Sequence, residues 1–398
     1  MLVQEHFDVV QKLDLPWSMF EYVFTSGEVG MRKPDLCFFQ HVIDNIGLSP
    51  SQVLMVDDQA DNICAARSLG IQGLLIGRAP AEIGQTLCNL LLDQVSRAEV
   101  YLKTNARNHF SAVEGQDATL KDNFSQLLIW KLTGDDRLIQ LHWPALKTRN
   151  GHPFADAQDH CSSSSTGIGL WNYFCDQGDP TARGFPPDAD TTSMAYLCVP
   201  KSRLSDLADA DLVMDRMVAN TNPDGILQTY FDRGRPRTSP EVCCNILRFF
   251  YSFGRGDDPG IKKTQDWVVQ CLNTRACAYG SRFYPTPESF LYFTACLYSE
   301  CGSEDLRKQL APAIKEALLE RVNIPTNPLA LSLRISACQS IGLDPHIYEQ
   351  DLIKLMAMQE EDGGWPMGYF CCMGRTGAGV GNRGLTTALA INIMKNAA

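Results

Sequence analysis

Helices account for most of what this chain can fold into. From about residue 85 to residue 398, apolar side chains recur every three or four positions, the spacing that places them on one face of a helix. Val242, Ile246, Phe249 and Phe253 form one such set, and Gly254 follows them, as is common where a helix ends. Loops rich in Pro, Gly and Ser separate the sets. The pattern predicts a mostly α structure, but it has no sharp repeat period and so does not by itself predict how the helices are arranged.

The first 80 residues follow a different pattern. Short apolar runs at 22–24, 53–56 and 74–76 are typical of buried parallel strands. Helical spacing lies between them, and Gly47 and Gly70 end the two helical segments. The alternation of strand and helix predicts a parallel sheet of the α/β, Rossmann-like kind. We therefore divide the chain into a partial α/β domain (1–80), a linker helix (81–105) and a helical domain (106–398).

Composition excludes several classes of function. The formal net charge of −11 argues against nucleic acid as a partner, because neutralising phosphates requires a basic surface. We expect no stable membrane insertion, because no apolar run approaches the roughly 20 residues that cross a bilayer. The first residues do not resemble a signal peptide, which favours a cytoplasmic location. The 15 cysteines include no Cys-x-x-Cys pair, so we expect buried free thiols rather than disulfides or a metal site.

Two carboxylates stand directly before an apolar stretch in the segment 188–192, Asp-Ala-Asp-Thr-Thr. A helix cap would explain part of this pattern, but two acids and, with the following Ser193, three hydroxyls exceed what a cap needs. The segment resembles the Asp-x-Asp-Thr-Thr motif of class II terpene cyclases. The similar subgroup joins a haloacid dehalogenase-like domain to one cyclase β domain, as in the drimane-type sesquiterpene synthases. The resemblance implies an α/α toroid in which Asp190 protonates the terminal alkene of the substrate while Asp188 holds and polarises it.

Protonating an alkene places strict demands on the acid. Because an alkene is a very weak base, the acid must be protonated at rest, and burial beside a second carboxylate favours that form. We expect the hydroxyls of Thr191 and Thr192 to steady the carboxylate that remains. Aromatic faces must then shield the cation, each contributing about 2 kcal/mol or more when desolvated. The candidate rings are Trp171, Tyr173, Phe174, Phe185, Tyr230, Phe231, Phe283, Tyr284, Tyr292, Trp365 and Tyr369.

A second motif and a set of cations complete the helical part. The segment 359–365, Gln-Glu-Glu-Asp-Gly-Gly-Trp, is similar to the Gln-x-x-Asp-Gly-x-Trp motif of cyclase toroids, which implies that Gln359 and Trp365 tie helices together. A substrate diphosphate needs cations, and Arg suits phosphate better than Lys because it binds through two donors. The sequence does not rank the candidates, which are Arg248, Arg255, Lys262, Lys263, Arg282, Arg375 and Arg383.

The first 80 residues resemble the haloacid dehalogenase family. Lys33, in Gly-Met-Arg-Lys-Pro-Asp, matches the lysine that neutralises a phosphoryl group, and Asp57 and Asp58 match the acids that position Mg²⁺. The family's nucleophile lies in an Asp-x-Asp segment well before this lysine, and residues 1–32 contain no such pair. Without it no phosphoaspartate forms, so we expect a shortened domain that has lost phosphatase activity. The Asp-Asp-x-x-Asp spelling at 57–61 also matches a class I terpene synthase motif, but it follows a strand instead of lying on a long helix.

These patterns together favour cyclisation of farnesyl diphosphate to a bicyclic drimane-type diphosphate, drimenyl or albicanyl. The product would keep its diphosphate, which a separate phosphatase in the pathway would remove. The main alternative is a haloacid dehalogenase-like phosphatase of a prenyl or other small phosphate ester. A helical scaffold and an α/α-toroid glycosidase, which would also use paired acids, remain open. The sequence fixes neither the chain length of the substrate nor whether the protein forms a homo-oligomer.

Overall fold

A computed structural model describes Lys12 and residues 16–77, 80–117, 119–144, 169–175, 184–374 and 376–397. The chain divides into two compact units, Met1–Leu87 and Cys88–Ala398. Helix is the dominant structure, as predicted. Within the described ranges, every helix is too short or too polar to span a bilayer. The cysteines in these ranges are free thiols, and most of those in the second unit are buried.

The first unit contains a two-stranded parallel sheet with helices beside it. Its elements in chain order are α1 (Ser26–Val29), α2 (Leu36–Ile46), β1 (Leu54–Asp57), α3 (Ala60–Ser68) and β2 (Gln72–Leu75), and α4 (Pro80–Leu91) runs across the division between the units. Leu54 of β1 lies opposite Gln72 of β2. Phe39, Ile43 and Ala66 form a small core between α2 and α3. The predicted strands at 53–56 and 74–76 and the helices between them are therefore confirmed.

The predicted strand at 22–24 is wrong. This segment has no regular structure, and Tyr22 and Val23 are 48% and 45% exposed. The ring of Tyr22 instead stacks on that of Phe24, with centroids 5.9 Å apart. An apolar run predicts a buried strand only where neighbouring strands pair with it, and the sheet of this unit has only β1 and β2 among the described residues.

Six helices of the second unit form a closed inner ring. Each contacts the next, and the last contacts the first, in the order α6 (Asn123–Thr133), α7 (Ala189–Cys198), α9 (Pro240–Ser252), α11 (Pro287–Glu300), α13 (Pro328–Ser340) and α15 (Arg383–Ala397). These helices are buried over most of their surface, since Glu241 to Phe250 of α9 are all buried. Closure of the ring makes this unit an α/α toroid, as the resemblance implied.

Further helices and one sheet surround the ring. The outer helices are α5 (Gln94–Thr104), α8 (Ala210–Val218), α10 (Lys262–Asn273), α12 (Glu304–Arg321) and α14 (Pro345–Ala357). Helix α5 packs on α15, α10 on α9, α12 on α11 and α14 on α13. An antiparallel sheet in the order β4–β3–β6–β5 is formed by β3 (Ser111–Val113), β4 (Thr119–Leu120), β5 (Tyr369–Cys372) and β6 (Gly379–Gly381).

The connections give the ring a polarity. From α8 to α15 an outer helix precedes each inner helix, so the inner helices run in the same direction and begin at the same end of the ring. Asp122 and Asp188 are the N-caps of α6 and α7, and their side chains accept hydrogen bonds from the N–H groups of Ser125 and Thr191. Buried polar side chains therefore gather where the inner helices begin.

Candidate active site

One cavity opens where the inner helices begin. Its polar lining side chains include Ser111 of β3, Ser125 of α6, Asp190 and Thr191 of α7, the N-cap Asp188, and Thr229. Aromatic rings cover much of the remaining wall, contributed by Phe124, Tyr173, Phe174, Phe185, Tyr230, Phe283, Tyr284 and Phe370. A buried acid pair surrounded by aromatic faces suits chemistry in which a proton and then a carbocation must be kept from water.

Asp188 begins helix α7 and also faces the cavity. Its Oδ1 accepts the backbone N–H of Thr191 at 2.6 Å, whereas its Oδ2 is buried and finds no hydrogen-bond partner among the described residues. The Thr192 hydroxyl donates to the Asp188 carbonyl at 2.6 Å and accepts the N–H of Trp171 at 2.9 Å. Asp188 is therefore both the predicted cap and a cavity residue, and the Thr192 hydroxyl shapes the start of the helix without touching a carboxylate.

Asp190 is held by residues from two neighbouring parts of the ring. Its Oδ1 accepts a hydrogen bond from Nδ2 of Asn245 on α9 at 2.8 Å, and its Oδ2 contacts the hydroxyl of Tyr284, which precedes α11. Its side-chain partners among the described residues are Asn245 and Tyr284, and the expectation that the hydroxyls of Thr191 and Thr192 steady this carboxylate stays a prediction. Asn245 is a partner that the sequence prediction missed, although it is a polar residue within an otherwise apolar stretch of α9.

Burial raises the pKa of both acids above the ordinary value of an aspartate. Desolvation, with the nearby Asp190 carboxylate, raises the pKa of Asp188 to about 8. Desolvation also raises the pKa of Asp190, to about 6, against the opposing effects of Tyr284, Asn245 and the charge of Arg248. Burial therefore favours the neutral, protonated form of both carboxyl groups, and a neutral Asp188 adds no negative charge beside Asp190.

Arg248 lies behind the acid pair and not at the cavity. Its guanidinium forms a two-bond ion pair with Glu300, at 2.8 and 3.0 Å, and donates to Oδ1 of Asn245 at 2.7 Å. Glu300 also accepts a hydrogen bond from Lys131 at 2.9 Å. Because these bonds occupy a side chain that is only 2% exposed, we do not retain Arg248 as a ligand of a diphosphate.

Four other predicted cations also lie away from the cavity lining. Lys262 pairs with Asp266 of its own outer helix at 2.8 Å, and Lys263 lies beside Gly225. Arg255 pairs with Asp258 and Asp215, while Arg383 pairs with Glu360 and Asp362 and lies 4.7 Å over the ring of Tyr101. Arg375 lies outside the described residues.

Three arginines lie at the rim of the cavity. Arg282 is one of the predicted set, and its guanidinium lies 5.9 Å from the ring of Phe283 and donates to the carbonyl of Gly374. Arg237 lies 5.6 Å from the same ring, and Arg235 lies 5.5 Å from the ring of Phe185. The prediction missed the last two, although they belong to the basic run Arg-Gly-Arg-Pro-Arg at 233–237.

The aromatic prediction was partly successful. Six of the eleven predicted rings line the cavity, namely Tyr173, Phe174, Phe185, Tyr230, Phe283 and Tyr284. The other five, Trp171, Phe231, Tyr292, Trp365 and Tyr369, are not among its described lining residues. Phe124 and Phe370 line the cavity without having been predicted, and their centroids lie 5.4 Å apart. Phe370 belongs to β5, so its position depends on the sheet and not on any local motif.

Gln359 and Trp365 form ties between helices. The Gln359 amide nitrogen donates to the carbonyl groups of Gln94 and Gly363, and its oxygen accepts a bond from Arg97 of α5 at 3.0 Å. The Trp365 indole nitrogen donates to the carbonyl of Leu355 on α14 at 2.7 Å. Both side chains are buried, so the motif links α5 to the end of α14.

The phosphatase-like residues of the first unit form a small polar cluster. Lys33 pairs with Asp57, which also accepts a hydrogen bond from Asn62 at 2.9 Å. Burial raises the pKa of Asp57, but the bonds from Lys33 and Asn62 outweigh it and the net shift is downward. Asp58 follows on the exposed side. Within the described ranges no group of three or more His, Cys, Asp or Glu side chains could hold a metal, so Asp57 and Asp58 alone do not complete a Mg²⁺ site.

Comparisons with known proteins agree with both halves of this description. Residues 95–253 match the family described as the sesquiterpene cyclase astC-like C-terminal domain, and residues 8–76 match haloacid dehalogenase-like hydrolases. Drimenol cyclase drtB of Aspergillus calidoustus is 37% identical over 375 residues, which are 94% of this chain and 65% of that protein. The chain is therefore similar to this drimenol cyclase over nearly its whole length. It spans 65% of the length of this relative.

Two further similarities are a short sequence match and a likeness of fold. Sesquiterpene phosphatase astK of Aspergillus oryzae is 38% identical over 68 residues, 17% of this chain and 35% of that protein. The type II terpene cyclase MstE from Scytonema superposes on 79% of this chain and 99% of its own, with a TM-score of 0.52 and 13% identity. A variant of that cyclase in complex with geranylgeranyl dihydroxybenzoate gives the same TM-score. At this identity the structural likeness concerns the fold alone.

Proposed function

We propose that this protein cyclises farnesyl diphosphate, by protonation, to a bicyclic drimane-type diphosphate, drimenyl or albicanyl. The observation that carries the proposal is the buried pair Asp188 and Asp190, whose pKa values burial raises, in an aromatic-lined cavity. The proton that enters the substrate is balanced by one that leaves the final cation. The reaction is therefore an isomerisation in which the carbon–oxygen bond to the diphosphate stays intact.

Asp190 is the proton donor in this proposal. Both oxygens of its carboxyl have side-chain partners, so its conjugate base remains hydrogen-bonded by Asn245 and Tyr284. Asp188 acts as a neutral neighbour that also fixes the start of α7. After transfer, the positive charge moves through the closing rings of the substrate, where faces such as those of Phe124 and Phe370 stabilise it.

The diphosphate binds, in this proposal, at the rim arginines Arg235, Arg237 and Arg282. Their guanidinium groups lie over Phe185 and Phe283, which line the cavity. A diphosphate held there would leave the isoprenoid chain inside the cavity, directed towards the acid pair. Arginine suits this site because its planar fork binds phosphate oxygens through two parallel bonds.

In this proposal Mg²⁺ would bind in the first unit. Asp57, Asp58 and Lys33 would form part of a phosphate site there, which needs one further acid to hold the metal. Asp57 is engaged with Lys33 and Asn62, and the cyclisation itself requires no metal. We propose that the product keeps its diphosphate and that a separate phosphatase removes it. The alternative, that this chain is itself the phosphatase, differs in a directly measurable product.

Product analysis tests the proposed function. We expect purified protein with farnesyl diphosphate and Mg²⁺ to yield a bicyclic diphosphate, detected by liquid chromatography and mass spectrometry. The corresponding alcohol should appear only after an external phosphatase is added. Unchanged farnesyl diphosphate would contradict cyclisation, and release of inorganic phosphate by the protein alone would support the phosphatase alternative.

Substitution of the acids separates their roles. Asp190→Asn should lower kcat by about a thousandfold or more, because an amide of nearly the same shape cannot donate a proton to an alkene. Asp188→Asn should lower it less, by about ten- to a hundredfold, because only orientation is disturbed. Circular dichroism should show both variants folded. Equal kcat for the wild type and Asp190→Asn would exclude Asp190 as the donor.

The pH dependence follows from the raised pKa values. Because the protonated acid is the active form, kcat/KM should be highest in mildly acidic solution and fall as the pH rises through about 6 towards about 8, where Asp190 and then Asp188 ionise. A steady-state pH profile measures this decline. A rise in kcat/KM with pH over the same interval would indicate a base-initiated reaction instead.

The rim arginines should affect binding more than chemistry. Arg237→Gln and Arg282→Gln should each raise KM by about tenfold, the effect of losing one charge-assisted hydrogen bond, with little change in the pH profile. Lys262→Gln is the matched control, since Lys262 pairs with Asp266 on an outer helix, and it should leave KM unchanged. Loss of kcat without a change in KM would place the diphosphate elsewhere.

A further inference from the structure

We infer that Arg248 and Glu300 form a positioning pair that fixes the amide of Asn245 and thereby determines which oxygen of Asp190 carries the proton. The inference rests on the proposed function, because it assigns these residues to the delivery of that proton. It also gives a role to a buried arginine and its partly exposed glutamate partner, which the cyclisation mechanism does not otherwise use. Neither residue lines the acid-pair cavity among the described residues.

The orientation of the Asn245 amide follows from hydrogen-bond chemistry. A guanidinium can only donate, so the atom of Asn245 that lies 2.7 Å from Nη1 of Arg248 must be the oxygen. The amide nitrogen then faces Asp190 and donates to its Oδ1 at 2.8 Å. A flipped amide would place a donor against Arg248 and an acceptor against Asp190. Arg248 therefore excludes the flipped orientation.

A fixed Asn245 restricts the proton of Asp190. Because Oδ1 always faces an N–H donor, it acts as the acceptor, and the neutral acid carries its proton on Oδ2. Oδ2 is the oxygen beside the hydroxyl of Tyr284, a residue of the cavity wall. A hydroxyl can accept a hydrogen bond as well as donate one. Tyr284 can therefore accept from the neutral acid and donate to the carboxylate that remains after transfer.

The positioning pair keeps its charge throughout the working pH range. Burial raises the pKa of Glu300, but the charges and hydrogen bonds of Arg248 and Lys131 outweigh it and hold the pKa at about 2. Glu300 and Lys131 are each about one-third exposed, whereas Arg248 is buried. The pair therefore contributes a constant local electrostatic field while Asp188 and Asp190 titrate.

Arg248 and Glu300 have opposite effects on the ionisation of Asp190. The charge of Arg248 favours ionisation of Asp190, whereas Glu300 offsets the charge of Arg248. Asp190 is hydrogen-bonded by Asn245 of α9 and by Tyr284, which precedes α11. The other titratable or charged groups that interact with it electrostatically are Asp188 at the start of α7, Glu241, Cys243 and Arg248 on α9, and Cys371 on β5. Removing Arg248 should make Asp190 harder to ionise, and removing Glu300 should make it easier.

The test compares pH profiles of kcat/KM. Arg248→Gln should move the alkaline decline to higher pH by about one unit and lower kcat at least about tenfold, because Asn245 can then rotate. Glu300→Gln should move the decline to lower pH, since the remaining arginine is no longer neutralised. Arg248→Lys keeps the charge but lacks the fork, so kcat should fall while the decline stays near its wild-type position. Arg255→Gln, which removes an arginine beyond the end of α9, should leave the decline unmoved.

A second measurement keeps the inference testable without turnover. The carboxyl ¹³C resonance of Asp190, identified by its loss in Asp190→Asn, should titrate at higher pH in Arg248→Gln and at lower pH in Glu300→Gln. If the wild type does not cyclise farnesyl diphosphate, the proposed function fails while these opposite displacements can still be observed. Displacements in the same direction, or none in variants whose circular dichroism is native, would overturn the positioning role. If Glu300→Gln does not fold, the Arg248→Gln and Arg248→Lys pair decides.

Discussion

The contact between α15 and α6 closes the ring, and the remaining features of the second unit depend on it. Once the ring is closed, each inner helix is covered on both sides by neighbouring inner helices and on its outer face by other elements. Most of its side chains are therefore buried. The acid pair is buried for that reason and not because of its own sequence. The raised pKa values of Asp188 and Asp190 are therefore a property of the closed ring.

The acid pair contacts an aromatic environment on one side and a hydrogen-bonded polar environment on the other. Towards the cavity it faces aromatic rings, which interact well with a cation and weakly with water. Away from the cavity it faces the polar series Asn245, Arg248 and Glu300, in which each bond has one chemically permitted direction. The aromatic rings can stabilise the positive charge at successive positions of the substrate. The polar series holds the side chain of the proton donor in one orientation. A buried polar series of this kind is tolerated because its hydrogen bonds are made.

Sequence reasoning predicted the features that lie close together along the chain. The acid pair, its cap and the Gln359–Trp365 tie are local motifs, and the structure places them at a helix start and at a helix junction. The partners of Asp190 were missed because Asn245 and Tyr284 lie 55 and 94 residues away from it. Arg248 was one of several unranked candidates for diphosphate binding, because the sequence gives its charge but not its partner Glu300, 52 residues distant. The apolar run at 22–24 failed for a similar reason, since a strand is defined by neighbours that the run itself does not contain.

The seam of the ring affects how the protein can fold as it is made. At this seam β3 pairs with β6, and Asn382 donates to the carbonyl of His109, a separation of 273 residues. Contacts between such distant positions form late and slow folding, because a long loop must close before they contribute. During synthesis the helices from α6 to α13 would emerge with their apolar inner faces uncovered until α15 is available. Nascent chains of this toroid are therefore expected to rely on chaperones until the last inner helix has left the ribosome.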